Sequence, residues 1–201
     1  MTAVTKPHRQ PYEPGLRDEW RTPPEFVAGI ERRWSLALDV AADAYCAVAP
    51  RYIDHATNAL ECDWLLDWKI AAGYDSNPAA FSPSLPVGGL GALWCNPPYS
   101  LVSDFVDACH RNAEATRRTV LLLAPSSVGT KWWARAFGLA VEVWHVDARL
   151  RFEPPPGIAA TSNTAGSTLF VFEAASDWST PRCGLLDRNG RPVPQSVRAK
   201  S

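Results

Sequence analysis

Hydrophobic positions change period several times along this chain, and each change marks an element. Phe26, Val27, Ile30 and Trp34 recur at three- and four-residue intervals, the stripe of an amphipathic helix. Its start signal is Thr22-Pro23-Pro24-Glu25, with Thr22 as N-cap, Pro23 at the first helical position and Glu25 closing a capping box. Leu36, Leu38 and Val40 then alternate, which predicts a strand running into Asp39-Val40-Ala41-Ala42-Asp43. Residues 62–66 read as a compact strand-loop unit and residues 91–95 as a short buried strand. Val102, Phe105, Val106 and Cys109 return to helical spacing. Residues 119–124 are continuously apolar, as in a central strand covered on both faces. A helix is expected over 131–137, a strand over 140–146 and a last β-rich run over 167–172. Residues 71–89 and 153–165, rich in proline and small residues, read as loops.

Strands alternating with helices predict an α/β fold with a doubly wound, mostly parallel sheet. The expected division is a flexible arm over 1–20, one domain over 21–173, and a tail over 174–201, where periodicity is lost. Hydrophobic residues make up 46% of the chain, enough for a sizeable core. The formal net charge of −1 excludes a polybasic nucleic-acid coat, so any nucleic-acid binding must come from a local patch. Five scattered cysteines with no CxxC pair read as reduced thiols of a cytoplasmic protein, with no metal site. No stretch reads as a signal core or a membrane span.

The chemistry concentrates in Trp94-Cys95-Asn96-Pro97-Pro98-Tyr99. A planar amino group that is to be methylated needs two acceptors to grip its hydrogens. The Asn96 side-chain carbonyl and the Pro97 backbone carbonyl can serve. Pro97 and Pro98 stiffen the turn and donate no N–H. Tyr99 offers a ring on which a flipped base can stack. The loop falls between a strand and a helix, at the strand's carboxyl end, where open α/β sheets bind ligands.

An ordered set of segments extends the pattern. It runs from Asp18-Glu19-Trp20-Arg21-Thr22-Pro23 through Leu38-Asp39-Val40-Ala41-Ala42, Asn58-Ala59-Leu60 and Asp63-Trp64 to the Asn96 loop. Lys131-Trp132-Trp133, Arg149-Leu150-Arg151-Phe152 and 166–172 follow. In these residues the chain resembles the phage-type DNA N6-adenine methyltransferases. The resemblance implies a Rossmann-like methyltransferase fold, S-adenosylmethionine as cofactor, DNA as partner, and Asn96, Pro97, Pro98 and Tyr99 as the catalytic loop. It implies cofactor contacts at Thr22, Asp39, Asp63 and Trp64. Asp39 would meet the cofactor's ammonium, or else serve as an Asx-turn residue. Asp63 and Trp64 would take the adenine, and Thr22 the carboxylate end. Ala41 and Ala42 stand where most methyltransferases carry a Gly-x-Gly loop. Asp54 and Glu61 are both candidates for the ribose hydroxyls.

For DNA, Lys131, Trp132, Arg149 and Arg151 combine charge with aromatic surface and could hold phosphates or read guanine edges. Arg135 reads more simply as a solvated helix position, Cys95 as core, and His145 as structural. The alternatives are an amino-methyltransferase acting on RNA or on protein glutamine, and a non-catalytic DNA-binding relative.

Overall fold

The computed structural model describes residues 20–64, 91–154, 157, 165–174 and 180–194. The expected arm (all but Trp20), the 71–89 loop and much of the 153–165 loop lie outside them. The described strands are β1 (Leu36–Asp39), β2 (Ala92–Cys95), β3 (Val120–Pro125), β4 (Glu142–Val146), β5 (Ser167–Phe172) and β6 (Arg182–Leu186). They form one sheet in the order β1-β2-β3-β5-β4-β6. β1, β2 and β3 pair in parallel, as do β4 and β6, and β5 is antiparallel to both β3 and β4. Five strands therefore run one way and β5 runs against them, so five carboxyl ends share one edge.

Helices cover both faces. Helix α1 (Pro24–Glu31) lays Phe26, Val27 and Ile30 on one face, against Leu36, Trp94, Leu121, Leu123, Leu169 and Val171. Helices α2 (Val102–Thr116) and α3 (Lys131–Leu139) cover the other, where Phe105, Val106, Cys109 and Trp133 meet Leu93, Cys95, Leu122, Val143 and Phe170. β2, β3 and β5 are buried along their whole length, which is why their sequences read as apolar runs. Each large side chain sealed in this way stabilises the fold by about 1.5–3 kcal/mol.

Several expectations are corrected. Pro23, not Thr22, sits at the N-cap of α1, without a side-chain cap, so the capping box does not form. The helix ends at Glu31, and Trp34 packs on the core from beyond it. A register shift between Leu36 and Leu38 places Leu36 on the α1 face, while Leu38 and Val40 fall on the other. Simple alternation predicted one face for all three. Residues 62–64 form turn rather than strand, and 65–66 lie outside the described residues. The stretch expected as tail contains β6, whose Leu186 is buried and whose Arg182 bonds the Glu142 carboxylate. This strand lies at the sheet edge and buries only Leu186 of its five residues, so it carries little apolar signal.

Candidate active site

The loop Asn96-Pro97-Pro98 leaves the carboxyl end of β2 and runs into a 3-10 turn, Tyr99–Leu101, that feeds α2. β2 sits between β1 and β3, so the loop is anchored on a buried central strand. Pro97 is buried and Tyr99 is 44% exposed. Asn96 donates through Nδ2 to the Thr22 hydroxyl at 3.4 Å. Its Oδ1 is buried and has no hydrogen-bond partner among the described residues. An unpartnered buried acceptor is costly in a folded protein and calls for an explanation. Desolvation pushes the Tyr99 phenol up to about 12, so the ring stays neutral at ordinary pH.

Beside the loop lies a cavity of about 280 Å³. Val40, Ile53, Ala59, Leu60, Leu101 and Phe105 supply apolar walls, and Asp43, Asp54, His55 and Asn58 supply polar groups. Ala41 and Ala42 also line it, and Pro98 closes it on the side of the Asn96 loop. Apolar walls with a few placed polar groups are the usual make-up of a small-molecule site. The segment that shapes the cavity is held by turns. Asp43 Oδ1 accepts the backbone N–H groups of Tyr45 and Cys46 at 2.7 and 2.9 Å. Asn58 adopts a left-handed φ of 54°. Burial pushes the Cys46 thiol up to about 12, so this side chain stays neutral beside Asp43.

The expected cofactor residues fall at different depths. Asp39 is 2% exposed. Its carboxylate accepts from Ala41 N at 3.3 Å and Val48 N at 3.2 Å, so it stitches the cavity loop to β1 and forms the Asx turn. Desolvation raises its pKa to about 7 against these stabilising bonds. Trp64 is fully buried and donates from Nε1 to the Ala59 carbonyl at 2.6 Å, backing the cavity wall from behind. Neither Asp63, which is exposed, nor Thr22 is part of the cavity lining. Between the two acids left open for the ribose, Asp54 lines the cavity and Glu61 does not. Asp54 Oδ1 is oriented by the Thr57 amide and hydroxyl at 2.9 and 2.8 Å, and these bonds lower its pKa. Asp43 and His55 escaped the sequence reading. Their segment lacks periodicity, and only its clustering of small and polar residues could have pointed to a binding loop.

The four expected DNA-contact residues all follow strand ends at the carboxyl edge. Lys131 opens α3 just beyond β3, and it is exposed, with Trp132 half-buried beside it. Trp133 instead turns inward and stacks on Phe137 and His145. Arg149 and Arg151 are exposed on either side of Leu150, which is 2% exposed and pins the segment to the core. The same segment pairs with the stretch before α1: Arg21 and Glu153 exchange backbone hydrogen bonds at 2.9 Å each. The two arginines thus lie on a strap tied to the residue next to Thr22, which itself touches Asn96. Arg135 is paired with Asp107 of α2. Among the described residues no group of three His, Cys, Asp or Glu side chains could hold a metal ion, and no helix is long and apolar enough to cross a membrane.

A mixed β-sheet covered by helices on both faces, with a cavity at its carboxyl edge beside a loop whose Asn96 carbonyl has no partner among the described residues, defines an α/β protein with a candidate small-molecule site. The family model described as DNA N-6-adenine-methyltransferase (Dam) matches residues 12–81 and 86–190, and the chain belongs to that family. It is also 27% identical over 173 residues to the DNA N-6-adenine-methyltransferase of Escherichia phage T1. That alignment covers 78% of this chain and 63% of the phage protein.

Proposed function

We infer that this chain is a site-specific DNA adenine methyltransferase of Rossmann-like fold, moving a methyl group from S-adenosylmethionine to the exocyclic amino group of a flipped adenine. The observation that carries the reading is the buried, partnerless Asn96 Oδ1 beside Pro97. An acceptor left open in a preorganised loop fits a substrate donor that arrives only in the complex. The membership of the family supports the base and the reaction.

The cavity residues fit the cofactor. Their apolar walls suit a purine ring, and Asp54 offers an oriented carboxylate to hydroxyl or amino donors. Asp39 and Trp64 act one layer behind, holding the loop and the Ala59 wall. Asp63 and Thr22 are kept as candidate contacts at the two ends. Bound S-adenosylmethionine supplies the transferable methyl group on a cationic sulfur. The chain's own part is to position and polarise the target. Tyr99 stacks the flipped base, whose extraction from the duplex costs a few kcal/mol. Asn96 Oδ1 and the Pro97 carbonyl accept the two amino hydrogens, which frees the nitrogen lone pair for direct attack. Water takes the released proton. Lys131, Trp132, Arg149 and Arg151 hold the DNA backbone around this site.

The test is methyl transfer from tritiated cofactor to adenine-unmethylated DNA, with RNA and protein substrates in parallel. Asn96→Ala is expected to lose roughly two to three orders of magnitude in kcat while binding the cofactor normally by calorimetry, as when one preorganised polar contact is removed. Tyr99→Ala should fail as well. Tyr99→Phe should keep most activity, because the ring stacks without its hydroxyl. A folded Asn96→Ala that methylates adenine at the wild-type rate, or a wild type that labels only RNA or protein, overturns the reading.

A further inference from the structure

Thr22 is 2% exposed, yet its hydroxyl does not cap α1. Its Oγ1 accepts instead from Nδ2 of Asn96, 74 residues away in sequence. The two ends of an asparagine amide are nearly equal in size but opposite in hydrogen-bonding sense. A half-turn of the amide would aim an NH₂ at the place where an acceptor is needed, so that it would face the donor of the target; the Thr22 hydroxyl can serve either end, and what its contact fixes is the plane of the amide. Something must hold the plane, and the neighbouring prolines fix only the backbone. Three further features make Thr22 fit to do so. Pro23 and Pro24 follow it and restrict the chain there. The Arg21–Glu153 bridge clamps the preceding residue on both sides. The other end of the Asn96 amide, Oδ1, meets no protein donor.

We propose that Thr22 is a positioning residue for methyl transfer, holding the Asn96 amide by its nitrogen so that Oδ1 faces the target amino group. The proposal rests on the functional reading above and adds to it a role for the residue before α1. The 3.4 Å separation is long for a hydrogen bond. Such contacts often tighten only when substrate engages the far side. A donor drawing on Oδ1 polarises the amide and strengthens the N–H bond to Thr22, so the two contacts reinforce one another.

The experiment compares the full-length wild type with Thr22→Val, Thr22→Ser and, should Val prove unfoldable, Thr22→Ala. The first readout is the side-chain amide signal of Asn96 by nitrogen-15 NMR, assigned by its loss in Asn96→Ala. The second is the separation of kcat from KM. Thr22→Val should shift that signal, speed its exchange with water, and lower kcat by about tenfold, the order that one hydrogen bond supplies. KM for DNA should change little, and Thr22→Ser should restore both readouts. An Asn96 signal identical in wild type and Thr22→Val overturns the proposal, whatever the activity. So does a variant with raised cofactor KM and full kcat at saturation, because the hydroxyl would then serve the cofactor alone. An Asn96 signal that responds to Thr22 in a wild type unable to methylate DNA supports the contact and defeats the functional reading instead.

Discussion

A carboxylate under the cavity loop makes the molecule's stability answer to pH. Asp39 is sealed from water and accepts only two long backbone bonds, at 3.2 and 3.3 Å, so desolvation dominates and lifts its pKa from 3.8 to about 7. The folded protein therefore holds a proton that the unfolded chain has already lost. Between these two values the folded state binds more protons, so the Asp39 contribution to stability falls as pH rises and levels off above about 7. Asp39→Asn should remove that slope. Melting curves from pH 5 to 8 should show the variant gaining on the wild type as pH rises, over a constant offset from its altered bonds. A gap that stays flat would mean that Asp39 ionises normally. The same burial explains why sequence could place Asp39 at the strand end without revealing its depth. Exposure depends on Val48, whose chain folds back over it, and no local pattern specifies that return.

Among the elements, one glycine substitution should reverse sign between two helices. Replacing an exposed helical glycine by alanine stabilises a helix by about 1 kcal/mol, because the alanine backbone has less freedom to lose. Gly138 in α3 has open space where a methyl group would stand, with nothing within 4 Å, so Gly138→Ala should gain up to about this amount. A β-carbon on Gly29 in α1 would lie 1.7 Å from the Asn189 carbonyl oxygen, which is backbone and cannot swing aside. Gly29→Ala should therefore lose about 2–3 kcal/mol, the clash outweighing the propensity gain. Denaturant titration of both variants decides this. The pair also shows where sequence reading fell short. Helices α2 and α3 and strands β2 and β3 were legible because one face or both is apolar at a fixed period. The seat of α1 on the turn after β6 was not. It depends on Gly190, at a φ of 68°, and on contacts across more than 150 residues of chain. The Asn96 loop could be singled out because its residues are consecutive. The cavity wall gathers side chains from the segment that follows β1, from the Asn96 loop and its 3-10 turn, and from α2, so no single window of sequence contained it.

For the molecule as a whole, a net charge of −1 means that the DNA proposed as substrate would have to be held by a local arrangement of cations. The structure separates cations by whether a carboxylate already neutralises them. Arg33 and Arg182 converge on Glu142, and Arg135 pairs with Asp107. Lys131, Arg149 and Arg151 are exposed at the carboxyl edge and carry no ion pair with a described residue. Each phosphate neutralised by protein releases counterions and steepens the fall of log K with log salt by about 0.9. Lys131→Ala with Arg151→Ala should therefore flatten the slope by roughly 2 and weaken binding to all sequences alike. Arg135→Ala is the control. It removes one positive charge from an exposed site on the same helix as Lys131, but one whose field Asp107 already cancels, so the slope should stay at the wild-type value. Fluorescence anisotropy on a labelled duplex, across a salt series with cofactor product present, gives all three slopes. A loss in Arg135→Ala half that of the double variant would show that total charge governs binding, and would move the DNA surface away from this edge. Loss confined to the double variant would place the phosphates beside the strap that joins Arg151 to Thr22, within reach of the loop that grips the base.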